Sequence, residues 1–553
     1  MLFFKNHKKF KKITYSLGLL LVLSLLFVSP VKSEDLNDEE FAVLLKQLTQ
    51  KKFRKKQVAI ENLQAVSHPK LKAVYQALLG SKLFYIKKTK QVVYAEKSEA
   101  GYVISNVFSN ESLGEVSKRK VQKISINNKI RTAIRASLAS LSLSDPDSNV
   151  RLLAVQDMMK DMSDLASSAL KARLSIEQNE DVKEAIEIAL ALLTLNSEIK
   201  QVKLDSIKKL SKSLNPIVKS SISKLLEKNA NGEYVEDEDV RLAAKKALDT
   251  ITTGLKFYGF VETLFFGLSL GSVLLLSAIG LAITFGVMGV INMAHGELMM
   301  LGAYTTYVIQ LLMPNSIEYS LLVAIPVAFL VSGFVGILIE RGCLKYLYGR
   351  PLETLLATFG ISLILQQTVR TIFTPLNRAV ETPEWMSGAW QINEALSITY
   401  NRFYVIIFSL IVFTILLLIL KRTSLGLHIR AVSQNRSMAK AMGVRSEWVD
   451  ALTFGLGSGI AGVAGVALSQ LTNVGPNLGQ AYIIDSFMVV VFGGVGNLWG
   501  TFVGAMSLGV VNKFLEPWSG AVLAKIIVLV FIILFIQKRP RGLFPQKGRA
   551  AEH

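Results

Sequence analysis

Polar and ionisable side chains lie between two apolar stretches of the sequence, in the segment 285–297, FGVMGVINMAHGE. Its polar members are Asn292, His295 and Glu297. Ionisable groups at membrane depth are costly and usually functional, as parts of a substrate or proton path. The alternative is that His295 and Glu297 are solvated residues at a helix end, at the membrane–water interface. The segment therefore predicts either a polar site within the membrane or an exposed helix end.

Glycine-rich interruptions break two of the apolar stretches, at 285–289 and at 492–497, and their comparable positions suggest an internal repeat. Broken helices expose backbone groups, which a membrane tolerates only beside protein or a water-filled cavity. We therefore expect the substrate path to pass both breaks. The expected path residues are Phe285, Gly286, Gly289, Asn292, His295, Glu297, Phe492, Gly493, Gly496 and Asn497.

A basic segment, 421–450, carries residues that suit docking on another protein. Its alanines and methionines can form one face of a short amphipathic helix that ends at Gly443 and fits a groove of a motor subunit. A solvated basic loop is the simpler alternative, but it does not account for the Ala/Met face. The expected coupling residues are Arg430, Gln434, Asn435, Arg436, Ala439 and Gly443.

The sequence lacks the common catalytic and metal-binding patterns. It contains no P-loop, no nucleophile elbow and no His-Glu-x-x-His zinc motif. Cys343 is the single cysteine, which excludes an intrachain disulfide and a multi-cysteine metal site. We therefore expect no catalytic residue, no metal and no cofactor. Transport driven by ATP would need separate ATPase subunits.

The composition is that of a membrane protein, with 51% hydrophobic residues in a chain of 553. The net charge of +20 would suit nucleic-acid binding. Much of the excess, however, lies in short loops beside apolar stretches, where cytosolic retention of Lys and Arg explains it better. We therefore expect no nucleic-acid partner.

Three regions are expected along the chain. Residues 1–33 have a basic start, an apolar run at 13–28 and a small residue at Ser33, which is the layout of a secretory signal peptide. An uncleaved anchor helix is the alternative, and either one would export residues 34–256. Residues 257–545 form the apolar region. The candidate spans lie near 260–285, 297–313, 320–340, 354–374, 403–420, 451–471, 484–512 and 519–537.

Residues 34–256 show helical periodicity and a recurring pattern, an acidic turn followed by Val and Arg or Lys, at Val150, Val182 and Val240. The pattern resembles HEAT-type helical repeats. Short strands are predicted at 83–86, 92–94 and 102–104. The expected fold is all-α: a mostly helical, HEAT-like exported domain with a small β insertion, followed by about eight to ten membrane spans, some of them broken. We expect this exported domain to serve as an interaction surface.

Loop charges orient the spans. Basic residues concentrate at 341–350, at 421–445 and in the tail after 537, whereas the loops 314–319 and 375–402 carry glutamates. The basic loops should be cytosolic. The exported domain would then be periplasmic and the carboxyl tail cytosolic, in a multi-pass protein of the bacterial inner membrane.

At 286–297 and 430–443 the chain resembles the permeases of branched-chain amino acid ABC importers. Ala439 and Gly443 match the Ala-x-x-x-Gly part of the coupling motif of ABC importers, while Ser437 stands where many of them have Glu. Within that family, 383–388, 473–480 and 485–500 are similar to the B-type permease of urea importers. An exported domain before the permease is also a feature of that branch.

The resemblance covers about 257–545 and implies a non-enzymatic subunit that forms the path for urea across the inner membrane. It implies as partners a second permease, two ABC ATPase subunits and a periplasmic urea-binding protein, within the membrane lipid. A branched-chain amino acid or short-amide permease, a passive urea channel and a membrane-anchored scaffold are the alternatives. Urea is neutral and needs only amides and carbonyls, whereas an amino-acid zwitterion would more often need a charge pair.

Overall fold

The computed structural model describes residues 34–35, 37–64, 66–98, 101–160, 164–229 and 232–545. The predicted signal peptide and the last part of the basic tail lie outside these residues. The chain divides into two compact units, Met1–Ile251 and Thr252–His553. The division lies close to the junction at residue 256 expected from the change in composition.

The first unit is mainly helical, and asparagine side chains begin four of its helices. Asn37, Asn127, Asn179 and Asn215 each accept a hydrogen bond from a backbone N–H of the first turn. The helices are α1 (Asp38–Gln47), α2 (Phe53–Gln64), α3 (Leu71–Leu79), α4 (Asn128–Ser142), α5 (Ser148–Lys160), α6 (Asp164–Leu174), α7 (Glu180–Thr194), α8 (Lys200–Leu210) and α9 (Pro216–Lys224).

The described residues of this unit also form seven short strands. A parallel pair joins β1 (Glu34–Asp35) and β2 (Val66–Ser67). The strands β3 (Leu83–Ile86), β4 (Val92–Lys97), β5 (Tyr102–Asn106), β6 (Ser112–Val116) and β7 (Val121–Lys123) form an antiparallel sheet in the order β6-β5-β4-β3-β7. The three predicted strands are confirmed, and β6 and β7 extend the sheet. Side chains alternate along β3, so that Leu83 and Tyr85 join the helices while Phe84 packs on the opposite face.

The recurring Val-Arg/Lys pattern marks helix starts. Val150, Val182 and Val240 all lie in the first turns of helices. Arg151, next to the first of them, pairs with the fully buried carboxylate of Glu177 at 2.8 Å. The pattern thus has a structural meaning here, while the HEAT-like assignment stays a prediction.

The second unit is a bundle of apolar helices. They are α10 (Glu238–Met288, which begins in the first unit), α11 (His295–Leu312), α12 (Ile317–Gly342), α13 (Pro351–Phe373), α14 (Tyr400–Arg422), α15 (Ser424–Gln434), α16 (Arg436–Ala441), α17 (Ser446–Ser469), α18 (Leu478–Gly493) and α19 (Leu498–Lys538). Two short 3-10 helices, at Leu344–Leu347 and Glu384–Met386, and a hairpin of β8 (Ala389–Asn393) and β9 (Leu396–Thr399) lie in the connections.

Six helices of the described residues are long and apolar enough to cross a membrane: α10, α12, α13, α14, α17 and α19. The predicted span 297–313 corresponds to the shorter helix α11, of 18 residues. The predicted span 484–512 covers most of α18, of 16 residues, and continues past the second break into the first part of α19. Residue Gly520 has a positive φ of 77° inside α19, which divides that helix into the two parts predicted as separate spans.

Glycines bring the central helices of this unit into backbone contact. A methyl group on Gly302 of α11 would overlap the backbone of Gly462 of α17, and one on Gly280 of α10 would overlap Gly457 of the same helix. Small residues allow this close approach where lipid supplies no hydrophobic drive for helices to associate. The buried helix α17 is therefore the centre of the bundle.

Candidate substrate path and coupling segment

The first predicted break is a bend between α10 and α11. The helix α10 ends at Met288, and Gly289 then takes a positive φ of 64°, a conformation that glycine adopts without strain. The Asn292 Oδ1 atom accepts a hydrogen bond from the Ala294 backbone N–H at 3.0 Å and so shapes the turn into α11. The bend is thus an ordered turn that places Asn292 beside the first residues of α11.

The three polar residues of this bend are buried. Exposed fractions are 1% for Asn292, 0% for His295 and 1% for Glu297, which contradicts the alternative of a solvated helix end. Ring atom Nε2 of His295 lies 2.8 Å from the Ser277 carbonyl oxygen, and Glu297 Oε1 accepts a hydrogen bond from the Ser362 hydroxyl at 3.1 Å. Within the described residues, Asn292 Nδ2, His295 Nδ1 and Glu297 Oε2 have no hydrogen-bond partner.

A stripe of polar residues on α13 faces this bend. Its members, Thr354, Thr358, Ser362 and Gln366, recur every four residues, and none is more than 5% exposed. Residues at this spacing lie on one helix face. Thr358 receives a hydrogen bond from the Met293 backbone N–H at 3.1 Å, next to Asn292. We call these four residues the α13 stripe.

One end of the α13 stripe is closed by the segment before α18. Asn477 Oδ1 accepts hydrogen bonds from Gln366 Nε2 at 3.1 Å and from Arg370 Nη2 at 2.7 Å. A short antiparallel bridge, in which Arg378 and Val474 exchange backbone hydrogen bonds, joins the segment after α13 to the segment before α18. Gln366 lies in the middle of a predicted span, where hydrogen bonding between helices is the ordinary expectation; here it bonds the segment that leads into α18.

The second break lies between α18 and α19 and borders a cavity of about 690 Å³. Residues Gly494 and Gly496 have positive φ values there, and Asn497 caps α19 by accepting hydrogen bonds from two backbone N–H groups. The cavity brings both breaks and the coupling segment together. Among its lining residues are Gly286, Val287, Lys421, Arg430, Gln434, Gly496, Asn497 and Phe544.

The remaining predicted path residues serve packing. Phe285 lies 6.0 Å from the ring of Phe487, and Phe492 lies 4.9 Å from that of Phe535. The backbone carbonyl of Gly493 accepts a hydrogen bond at 3.1 Å from Phe544, in the segment after α19. This segment folds back onto the second break, which the sequence did not indicate.

The basic segment 421–450, which we call the coupling segment, is helical, as predicted. It forms two short helices, α15 and α16, instead of one. Asn435 separates them and caps α16 by accepting a hydrogen bond from the Met438 N–H at 2.9 Å. Gly443 ends the segment with a positive φ of 85°. Ala439 is buried together with Val432. The side chains of Leu427, Met438 and Met442, in contrast, are each exposed by 57% or more.

The two predicted coupling arginines both bond to other parts of this chain, although Arg430 is exposed and Arg436 is partly exposed. Arg430 donates a hydrogen bond to the Leu420 carbonyl, at the end of α14. Arg436 pairs with Asp450 of α17, and its guanidinium lies 4.4 Å from the centre of the Tyr348 ring. Burial raises the pKa of the Tyr348 phenol above its ordinary value of 10, so this ring is neutral.

The structure corrects one further interpretation and adds residues that were missed. Asp485 opens an apolar run in the sequence, where a helix N-cap is the expected role. In the structure it lies inside α18 and pairs with Lys525 at 2.8 Å, while Asn477 occupies the N-cap position. Of the α13 stripe, Thr354, Thr358 and Ser362 were not predicted, although their four-residue spacing is visible in the sequence. In the described part of the chain, no group of three or more His, Cys, Asp or Glu could hold a metal ion.

Comparisons with known proteins address the second unit. Residues 263–536 match the sequence profile of the family described as "Branched-chain amino acid transport system / permease component". The chain is 30% identical to the high-affinity branched-chain amino acid transport system permease protein LivH of Salmonella typhimurium, over 52% of this chain and 96% of the relative. It is 29% identical to the corresponding protein BraD of Pseudomonas aeruginosa, with the same coverage. The ribose import permease protein RbsC of Escherichia coli is 24% identical over 50% of this chain and 84% of that protein. No solved structure matches the chain.

Proposed function

The chain belongs to the family of permease components of branched-chain amino acid transport systems, and on that premise we propose that it forms the path by which an ABC importer carries urea across the bacterial inner membrane. The bend between α10 and α11 supports this proposal most strongly. Asn292, His295 and Glu297 are buried there, and each keeps one side-chain atom without a partner among the described residues. Such atoms are available to a passing polar solute.

The chemistry of these atoms matches urea. Urea has one carbonyl oxygen that accepts hydrogen bonds and two amino groups that donate them. Asn292 Nδ2 is a donor, and Glu297 Oε2 is an acceptor when ionised. The hydroxyls of Thr358 and Ser362 can both donate and accept. A small neutral solute can therefore exchange its hydration shell for side chains along this face without needing a counter-ion.

A branched-chain amino acid is the second candidate, which the names of the relatives and one charge pair favour. Glu297 of α11 is bonded to Ser362 of the α13 stripe, and Arg370 follows that stripe on α13. Arg370 acts electrostatically on Glu297. However, Ser362, which holds Glu297, lies eight positions before Arg370 on α13. This separation is about 12 Å along the helix axis. The ammonium and carboxylate of one α-amino acid are much closer together, so we rank urea first.

The energy for transport would come from ATP hydrolysis by partner subunits. Leu427 on α15, Met438 on α16 and Met442 directly after α16 are exposed apolar side chains, and Lys440 adds a positive charge on α16. An amphipathic helical face of this kind fits an apolar groove. We infer that this groove belongs to an ABC ATPase subunit, and that the complete importer holds two ATPases, a second permease and a periplasmic urea-binding protein. In this arrangement residues 34–256 lie in the periplasm and the carboxyl tail in the cytosol.

Uptake of labelled urea and labelled leucine in a deletion strain tests the proposal. We expect the deletion to abolish urea uptake and leave leucine uptake unchanged, and the plasmid-borne gene to restore urea uptake. A Met438→Asp, Met442→Asp double variant should insert into the membrane but fail to restore uptake, because two charges would enter the apolar groove. Loss of leucine uptake with urea uptake intact would contradict the proposed substrate.

A further inference from the structure

We propose that Arg436 is a positioning residue that fastens the coupling segment to α17 through Asp450, and that it does not contact the ATPase. The pairing itself concerns this chain alone. Its consequence for transport rests on the proposed function, because it assumes that an ATPase moves α15 and α16.

The Arg436 side chain is 35% exposed, but its guanidinium group is engaged by two groups of this chain. Its Nη2 atom donates to Asp450 Oδ2, and its guanidinium carbon lies 4.4 Å from the centre of the Tyr348 ring, before α13. The Asp450 side chain is completely buried. Among the described residues, Arg436 is the only cation within ion-pair distance of this carboxylate. The arginine therefore joins α16 to two other segments of the bundle.

A second buried carboxylate makes this pairing necessary. Glu340, at the end of α12, is 1% exposed and repels Asp450 electrostatically. Its ion pair, with Arg341, is long, at 3.8 Å. Asp450 Oδ1 and Glu340 Oε2 have no hydrogen-bond partner in the described part of the chain. Without Arg436, Asp450 would be a buried unpaired charge beside another carboxylate, a situation that is strongly destabilising.

Helix α17, which Arg436 contacts through Asp450, is connected to the polar bend between α10 and α11. Helix α17 contacts α11 where the backbones of Gly462 and Gly302 meet, and α11 begins with His295 and Glu297. Close-packed helices transmit displacement because they cannot deform continuously. A shift of α16 would thus reach the bend through the Arg436–Asp450 pair and α17. This gives Arg436 a role in coupling without any contact to the ATPase.

A double-mutant cycle on the full-length protein tests the pairing. The variants are Arg436→Gln, Asp450→Asn and the two together, with Arg445→Gln, at an exposed arginine directly before α17, as the matched control. We expect Arg436→Gln alone to lower the ratio of folded to unfolded protein about 100-fold, and the double variant to recover at least tenfold of that loss. Purely additive effects of the two substitutions would overturn the proposal.

A second readout separates positioning from ATPase contact. In the reconstituted complex, Arg436→Gln should leave ATP hydrolysis and subunit assembly intact, while lowering the urea transported per ATP about tenfold. The exchanged pair, Arg436→Asp with Asp450→Arg, should restore this ratio at least partly. Loss of ATPase binding in Arg436→Gln without rescue by the exchange would show a direct contact instead. Absence of ATP-driven uptake in the unaltered complex would refute the proposed function, while the stability cycle would still decide the pairing.

Discussion

Ser362 joins the α13 stripe to the start of α11, because its hydroxyl donates a hydrogen bond to Glu297. Glu297 then presents its other oxygen without a partner among the described residues. A serine in this place holds a buried carboxylate in one orientation, which is what a path for hydrogen-bonding solutes requires.

Replacing Ser362 by Ala should lower urea uptake about tenfold, because Glu297 loses the hydrogen bond that orients it. Uptake of labelled urea at equal protein level in the membrane measures the effect. The matched control is Thr368→Ala on the same helix: Thr368 is exposed and bonds only its own helix, to the Ile364 carbonyl. We expect uptake within twofold of wild type for the control. Equal effects of the two substitutions would exclude the α13 stripe from the path.

Glu177 gives the first unit a predictable response to acid. The hydrogen bond from Arg151 lowers the pKa of this carboxylate from 4.5 to about 2. Because the folded-state pKa is the lower one, the pair stabilises the fold above about pH 4.5, and this contribution disappears as the pH falls through 2. This difference in the pKa of Glu177 corresponds to roughly 3 kcal/mol in the free energy of unfolding.

Hydrogen exchange of the full chain, followed by mass spectrometry, measures this loss. Between pH 4.5 and 2, peptides of α5 and α7 should lose protection, after correction for intrinsic exchange rates. The Glu177→Gln variant should show weaker protection at neutral pH and no such step. Peptides of α1 serve as the internal control. An unchanged step in the variant would contradict the assigned role of Glu177.

The residues of the path could be predicted from sequence only where a local signal existed. His295 and Glu297 are conspicuous because charged residues are rare between apolar stretches. Ser362 is less conspicuous, since single hydroxyls are common in membrane helices and only the four-residue spacing of the α13 stripe marks it. The pairings of Asp485 with Lys525 and of Arg436 with Asp450 depend on helix packing, which the sequence alone does not contain.

At the scale of helices, glycine decides both where they break and where they touch. Residues Gly289 and Gly494 have positive φ values at the two breaks, whereas Gly302 and Gly462 bring α11 and α17 into backbone contact. Glycine therefore interrupts a helix at the two breaks, whereas within α11 and α17 it lets two continuous helices pack closely.

Replacing Gly302 by Leu should lower the free energy of unfolding by about 1–3 kcal/mol, because its side chain would overlap the backbone of α17. The matched control is Gly360→Leu in α13, where no described atom lies within 4 Å of an added Cβ. Thermal unfolding of the detergent-solubilised protein compares the two. A melting temperature lowered equally in both variants would contradict the packing role of Gly302.

The helices were largely predictable, because apolar length and glycine clusters are local properties. The breaks at 289–294 and 494–497 lie within or next to the predicted segments. The strands β6 and β7 were missed because they are short and mostly exposed. The return of the tail onto Gly493 was also missed, since it depends on a contact between distant parts of the chain.

For the whole molecule, the loop charges predict one orientation, which labelling can test. In a Cys343→Ser background, Met442→Cys in the coupling segment should react with a membrane-impermeant maleimide only in inside-out vesicles. Trp390→Cys, in the hairpin of β8 and β9, should react only in right-side-out preparations. Both parent side chains are more than half exposed. The reverse pattern would invert the topology and contradict docking of a cytosolic ATPase on α15 and α16.

The central claim is that this chain forms an ATP-driven path for urea. Its most direct test is uptake of labelled urea by proteoliposomes that contain the purified permease complex, its ATPases and the urea-binding protein. Urea should accumulate above its external concentration when ATP is supplied on the ATPase side, and labelled leucine should not. Accumulation of leucine, or equilibration of urea without ATP, would contradict the account.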